Sequence, residues 1–164
     1  MADPSKEIAQ GETCLRRLDY DGALKHFDAA LKEDPQNAYA YFCKAEAALG
    51  LDRTEPDEIA SLYKQAMELD PKNPQYLDAY GSFCMDTGRF KEGEEAFNMA
   101  ARLDEENAPF YYVDFAVNYY RKAPIIMARF LDDTTRRMIA VKALDYLLKA
   151  LGMDREDALE FLRD

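Results

Sequence analysis

The sequence predicts an all-α fold, a stack of helix-turn-helix repeats closed by a C-terminal capping helix. Three observations point there: a segment that recurs along the chain, apolar residues spaced for one face of a helix, and seven glycines and seven prolines that fall between the helical patterns. At 164 residues, 48% apolar and 32% charged, the chain has enough length and hydrophobicity for one domain with a core.

The recurring segments are AALKEDPQNAY (Ala29 to Tyr39), QAMELDPKNPQY (Gln65 to Tyr76) and MAARLDEENAPFY (Met99 to Tyr111). Each runs from an alanine-containing helix end into Asp, then Pro or Glu, then Asn and an aromatic. The markers Asn37, Asn73 and Asn107 are 36 and 34 residues apart. In the first period the small residue of the leading helix is Gly11, and the second helix carries Ala23, Phe27 and Ala30 before Pro35. The second period has Tyr41, Ala45, Ile59, Tyr63, Ala66 and Pro71, with its extra residues in the turn Asp52 to Asp57. The third has Gly81, Gly88, Phe97 and Ala100, while Gly93 replaces an alanine and Glu105 a proline. Small residues on both helices let the antiparallel pair approach, and the aromatic three or four residues away fills the remaining space.

On these residues the chain resembles the tetratricopeptide repeat family over roughly Lys6 to Tyr120. The resemblance implies a right-handed superhelical solenoid and a protein-binding role, as adaptor, assembly factor or dedicated chaperone. The expected organisation is a single domain spanning 1–164. Its repeats fall at about 4–37, 38–73 and 74–107, followed by a degenerate fourth at 108–132 and capping helices at 134–164.

The C-terminal part opens with Tyr111, Phe115, Asn118 and Tyr119 at helical spacing. Ala123-Pro124 then begins the apolar stretch Ile125 to Leu131, and Thr134 or Thr135 is the expected cap of the next helix. Ile139, Leu144, Leu147, Leu148 and Leu151 form one face of that helix, ended by Gly152. Asp154 then caps a last turn or two through Leu159 and Leu162. A solenoid needs a terminal helix with a polar outer face, so structural capping is the first reading. Dimerisation through this helix, or its folding back into the groove, are the alternatives.

Leading helices line the concave face of such a solenoid. Aligning the repeats places Ile8, Glu12 and Leu15 there from the first helix and Tyr39, Phe42, Cys43 and Glu46 from the second. Asp78, Ser82 and Met85 follow from the third, and Tyr112, Ala116 and Tyr119 from the fourth. This groove is aromatic and acidic, which calls for a protein or peptide ligand with apolar anchors and basic flanks. Several of these aromatics are equally well read as core between repeats; Tyr41 and Tyr80 are assigned to core outright. Family members that grip chaperone C-terminal carboxylates use Lys or Arg and Asn at positions that here hold Ile8, Glu12, Cys43, Gln75 and Ala79. That clamp is missing.

A net charge of −11 argues against nucleic acid and anionic membrane surfaces. The start MADPSKEIAQ has neither a basic nor an apolar targeting stretch, so a cytoplasmic location is expected. Cys14, Cys43 and Cys84 are read as reduced thiols, with Cys14 and Cys84 on one packing position of their repeats. His26 is the only histidine and is expected at the surface, so no catalytic dyad or metal-binding cluster can be built on two histidines. Asp132-Asp133 and Glu94-Glu95 are read as solvated or helix-terminal charges. No catalytic residues, cofactor or metal are expected. Two further readings are a homo-oligomer built through the C-terminal helix and a thiol-based activity at Cys43.

Overall fold

The computed structural model describes residues 3–161, so Leu162, expected in the final turn, lies outside them. Among the described residues there are nine α-helices, one 3-10 turn and no strand. The chain divides into two compact units, Met1–Tyr76 and Leu77–Asp164.

The first unit holds α1 (Pro4–Arg16), α2 (Tyr20–Glu33), α3 (Ala38–Leu49) and α4 (Pro56–Leu69), each packed on the next in line. Local chemistry sets the starts. The carboxylates of Asp3 and Asp19 accept from Ser5 N at 3.0 Å and Gly22 N at 2.9 Å, and Asn37 Oδ1 accepts from Ala40 N at 2.9 Å. Gly11 is the close-approach point between α1 and α2, where an added Cβ would stand 2.5 Å from Phe27 Cε1. Phe27 is fully buried with Ala23, Cys43 and Ala47. The turn between α1 and α2 places Leu18 at φ 59°, a left-handed backbone that costs a residue with a Cβ about 1–2 kcal/mol. Of the inserted turn expected at Asp52 to Asp57, Asp52 to Glu55 do join α3 to α4, whereas Pro56 and Asp57 already belong to α4.

The second unit takes in most of α5 (Pro74–Asp86), then α6 (Phe90–Leu103), α7 (Ala108–Ile126), a 3-10 turn (Ala128–Phe130), α8 (Asp133–Ala150) and the short α9 (Arg155–Phe161). Gly81 repeats the role of Gly11, with its Cβ position 2.8 Å from Phe97 Cε2. Gly88 repeats Leu18 at φ 76° and has Ile126 packed against it. The core gathers Met85, Phe97 and Phe115, with Tyr119 and Tyr146 packed on it. Phe115 and Tyr146 ring centres are 4.3 Å apart.

The C-terminal region corrects several expectations. Helix α7 runs through Pro124 to Ile126, so Ala123-Pro124 lies inside it and does not open a new segment. No room is left for a second helix within 125–131. That place is taken by α8, which packs along α7 and thereby also completes the fourth helix pair. The cap of α8 is Asp132, whose carboxylate accepts from Thr135 N at 2.7 Å, not Thr134 or Thr135. The anticipated apolar face of α8 is split. Ile139 and Leu148 are buried, whereas Leu144, Leu147 and Leu151 are exposed, so the outer face is not polar. Gly152, at φ 68°, ends α8 as expected: Met153 N donates to Leu148 O at 2.9 Å in a left-handed C-terminal motif.

Candidate partner-binding surfaces

The three Asp…Asn segments that mark the repeat share one local construction. Asp34, Asp70 and Asp104 end their helices in an extended backbone conformation near φ −130°. The amide of the following asparagine donates back to each carboxylate: Asn37 to Asp34 at 3.1 Å, Asn73 to Asp70 at 3.4 Å and Asn107 to Asp104 at 3.0 Å. These turns deliver α3, α5 and α7, the helices expected to carry the partner-binding residues.

In the first unit, Tyr39 is exposed and its hydroxyl donates to Glu12 Oε1 at 2.7 Å, joining α1 to α3. That bond and partial burial hold the Tyr39 phenol well above its ordinary pKa. Tyr39 stacks on Phe42, which in turn stacks on Tyr76 with ring centres 4.9 Å apart. Glu46 accepts from Tyr63 Oη, a residue contributed by α4. Ile8, Leu15 and Phe42 are half-buried and pack on the Phe27 cluster, so only part of each faces outward. Tyr39 is the exposed member of the set, and Glu12 and Glu46 are half-buried beside it, each held by a tyrosine hydroxyl.

Cys43 is corrected. It is 4% exposed and part of the core cluster, because its position on α3 turns towards Phe27. Burial pushes its thiol up to about 11, and the charges of Glu12 and Glu46 add to that against a hydrogen bond from Tyr39. A thiol so protonated at neutral pH is a poor nucleophile, which removes the basis for an activity there.

In the second unit, Asp78 and Ser82 are half-buried. Asp78 Oδ1 is shielded from solvent and has no hydrogen-bond partner among the described residues. Burial raises the Asp78 carboxyl, and the charge of Asp114 raises it further; Asp114 is itself raised by burial. Asp114 was not anticipated, because the 34-residue period from Asn73 to Asn107 sets Tyr112, not Asp114, at the position of Asp78. Met85 and Ala116 are corrections: both are buried, Met85 because its methyl occupies the space a Cβ on Gly93 would need. Tyr119 packs edge-on to Phe90 at 5.3 Å and belongs mainly to the core. Tyr112 is half-buried beneath Lys149, whose Nζ stands 4.1 Å above its ring.

His26, expected at the surface, is half-buried and bonded to Glu7 at 2.8 Å. Among the described residues, no helix is long and apolar enough to cross a membrane.

The tetratricopeptide repeat model matches residues 8–74. A TPR repeat-containing protein of Methanocaldococcus jannaschii is 29% identical over 126 residues, which is 73% of this chain and 20% of that protein. The STIP1 homolog of Dictyostelium discoideum is 32% identical over 99 residues, 60% of this chain and 17% of that protein. The chain thus spans about a fifth of the length of these relatives. Among solved structures, the MamA protein superposes with a TM-score of 0.62 at 17% identity, covering 98% of this chain and 88% of that one. The TPR2B domain of yeast Sti1 in its pHsp70 complex gives 0.59 at 18% identity, covering 85% and 94%. Residues 8–74 thus match the tetratricopeptide repeat family, and the helix pairs of the chain share the fold of the Sti1 TPR2B domain.

Proposed function

We propose that this chain is a protein-interaction module that holds a partner segment carrying apolar anchors and basic flanks, as adaptor or dedicated chaperone and not as an enzyme. The observation that carries this is the Glu12–Tyr39–Phe42 arrangement. An exposed tyrosine, fixed in orientation by a carboxylate and backed by a stacked ring, offers a large contact area at little entropic cost, beside acidic groups that favour Lys or Arg. Asp78 and Asp114 offer the second unit the same preference, since an arriving cation would relieve two carboxyls held above their ordinary pKa.

The likeness to the Sti1 domain bound to pHsp70 supports a peptide as the kind of ligand. The residues here favour a basic sequence, since Ile8, Glu12 and Cys43 stand where the carboxylate-gripping members carry polar or basic side chains. A peptide array of apolar segments flanked by either Lys/Arg or Asp/Glu tests this. Basic peptides are expected to bind, and to lose about tenfold or more in affinity with Tyr39→Ala or with Glu12→Lys plus Glu46→Lys. Equal binding of acidic peptides, or indifference to both variants, would overturn the reading.

A further inference from the structure

The second unit carries a different surface between α7 and α8. Val117 and Tyr120 from one helix and Ala140, Leu144 and Leu147 from the other line a groove of about 360 Å³, with Arg121 as its charged member. Tyr120 is 56% exposed and Leu144 49%, and no described segment covers them. The groove extends the exposed apolar row of Leu144, Leu147 and Leu151 along α8.

The charges on this helix pair say what would sit there. Between Ala108 and Ala150 there are seven cations and four carboxylates, in a chain whose net charge is −11. They are sorted by side. Lys122 pairs with Asp86, Lys142 with Glu94, and Lys149 bonds Asn98, all towards α5 and α6. Arg121, Arg136 and Arg137 make no ion pair among the described residues. Arg136 lies one turn before Ala140, and Arg137 two turns before Leu144, so both continue the groove face at the end where Arg121 lies. Asp133 is the carboxylate nearest them along α8.

We propose that this groove docks an amphipathic helix of a partner protein, one with an aliphatic ridge and carboxylates clustered at the end that meets Arg121, Arg136 and Arg137. Its charge requirement is opposite to that of the Glu12–Tyr39 surface, and the proposal does not depend on that surface. The face from Arg136 to Leu151, about 22 Å long, would take about four turns of such a helix.

The probe is a fluorescent helical peptide of about 14 residues, with leucines at i, i+3, i+4 and i+7 and three glutamates in one terminal turn, beside the same peptide with lysines there. Titrated against the full chain, the glutamate peptide is expected to bind at least about tenfold more tightly than the lysine peptide. Leu144→Asp and the pair Arg121→Glu, Arg137→Glu are each expected to abolish that preference. These side chains are exposed, and circular dichroism is the check that the variants fold. Glu12→Lys is expected to leave glutamate-peptide binding unchanged, which separates this surface from the first. Equal binding of the two peptides, or no effect of Leu144→Asp, would overturn the proposal. So would a dimer in sedimentation that Leu144→Asp dissolves, since the groove would then belong to a second copy.

Discussion

The ring of Phe27 on α2 occupies the space directly over Gly11 on α1, leaving no room for a methyl group on the glycine. The same relation recurs between Phe97 and Gly81. Gly11→Ala is therefore expected to destabilise the chain by about 1–3 kcal/mol through overpacking, despite the better helix propensity of alanine. Thermal unfolding measures it. Phe27→Leu in the same chain should recover part of the loss if the clash is with the ring.

Leu18 occupies the position that Gly88 fills in the second unit, and it does so with a left-handed backbone and a side chain 70% exposed. Leu18→Gly removes a steric strain and little packing. It is expected to raise stability by about 0.5–1 kcal/mol in urea unfolding, the reverse of the usual effect of introducing glycine.

Asn37 both accepts from Ala40 N and donates to Asp34. Asn37→Ala should cost about 1 kcal/mol. Asn37→Asp is the sharper test: aspartate caps helices as well as asparagine, but here it loses the donor and faces Asp34. It is expected to be less stable than wild type in urea unfolding at pH 7, by a margin that shrinks as added salt screens the two carboxylates.

Asp78 has its carboxyl raised in the folded state, so the folded chain holds this proton more tightly than the unfolded chain. The stability contributed is full below the unfolded pKa of about 3.9 and is lost as pH rises through the folded value. Asp78→Asn is thus expected to raise the melting temperature at pH 7 and to give no gain at pH 3. A gain that persists unchanged at pH 3 would place the effect elsewhere.

The thiols give a readout of burial. Cys14 is half-buried while Cys43 and Cys84 are buried. A maleimide is expected to label Cys14 first, with Cys43 and Cys84 reacting only at a rate that follows unfolding.

The repeat made the helix pairs legible because its small and aromatic positions recur, whereas the seating of Phe27 over Gly11 and of Phe97 over Gly81 came from the structure. The C-terminal part was less legible. Ala123-Pro124 reads as the start of a new segment, yet α7 continues to Ile126 and its partner helix is α8. Of the residues that alignment places on the concave face, Tyr39 is exposed and Glu12, Glu46 and Asp78 are half-buried. Alignment put Cys43, Met85 and Ala116 outside because one helical position decides between surface and core, and that turn of the helix depends on neighbours such as Phe27 and Gly93. Tyr63, which orients Glu46, comes from the second helix of its pair, outside the rule that leading helices supply the groove.

The asparagine that donates back to the aspartate ending each preceding helix draws on nothing beyond its own few residues. A unit that carries its own corner in this way can be duplicated whole, since the copy needs no new partner elsewhere to turn the chain. The 36-residue second period bears this out: it took up its extra residues between α3 and α4 and left both flanking corners unchanged. Growth by copying and drift within the copies can then proceed separately, with the faces of the helices free to diverge while the corners stay fixed.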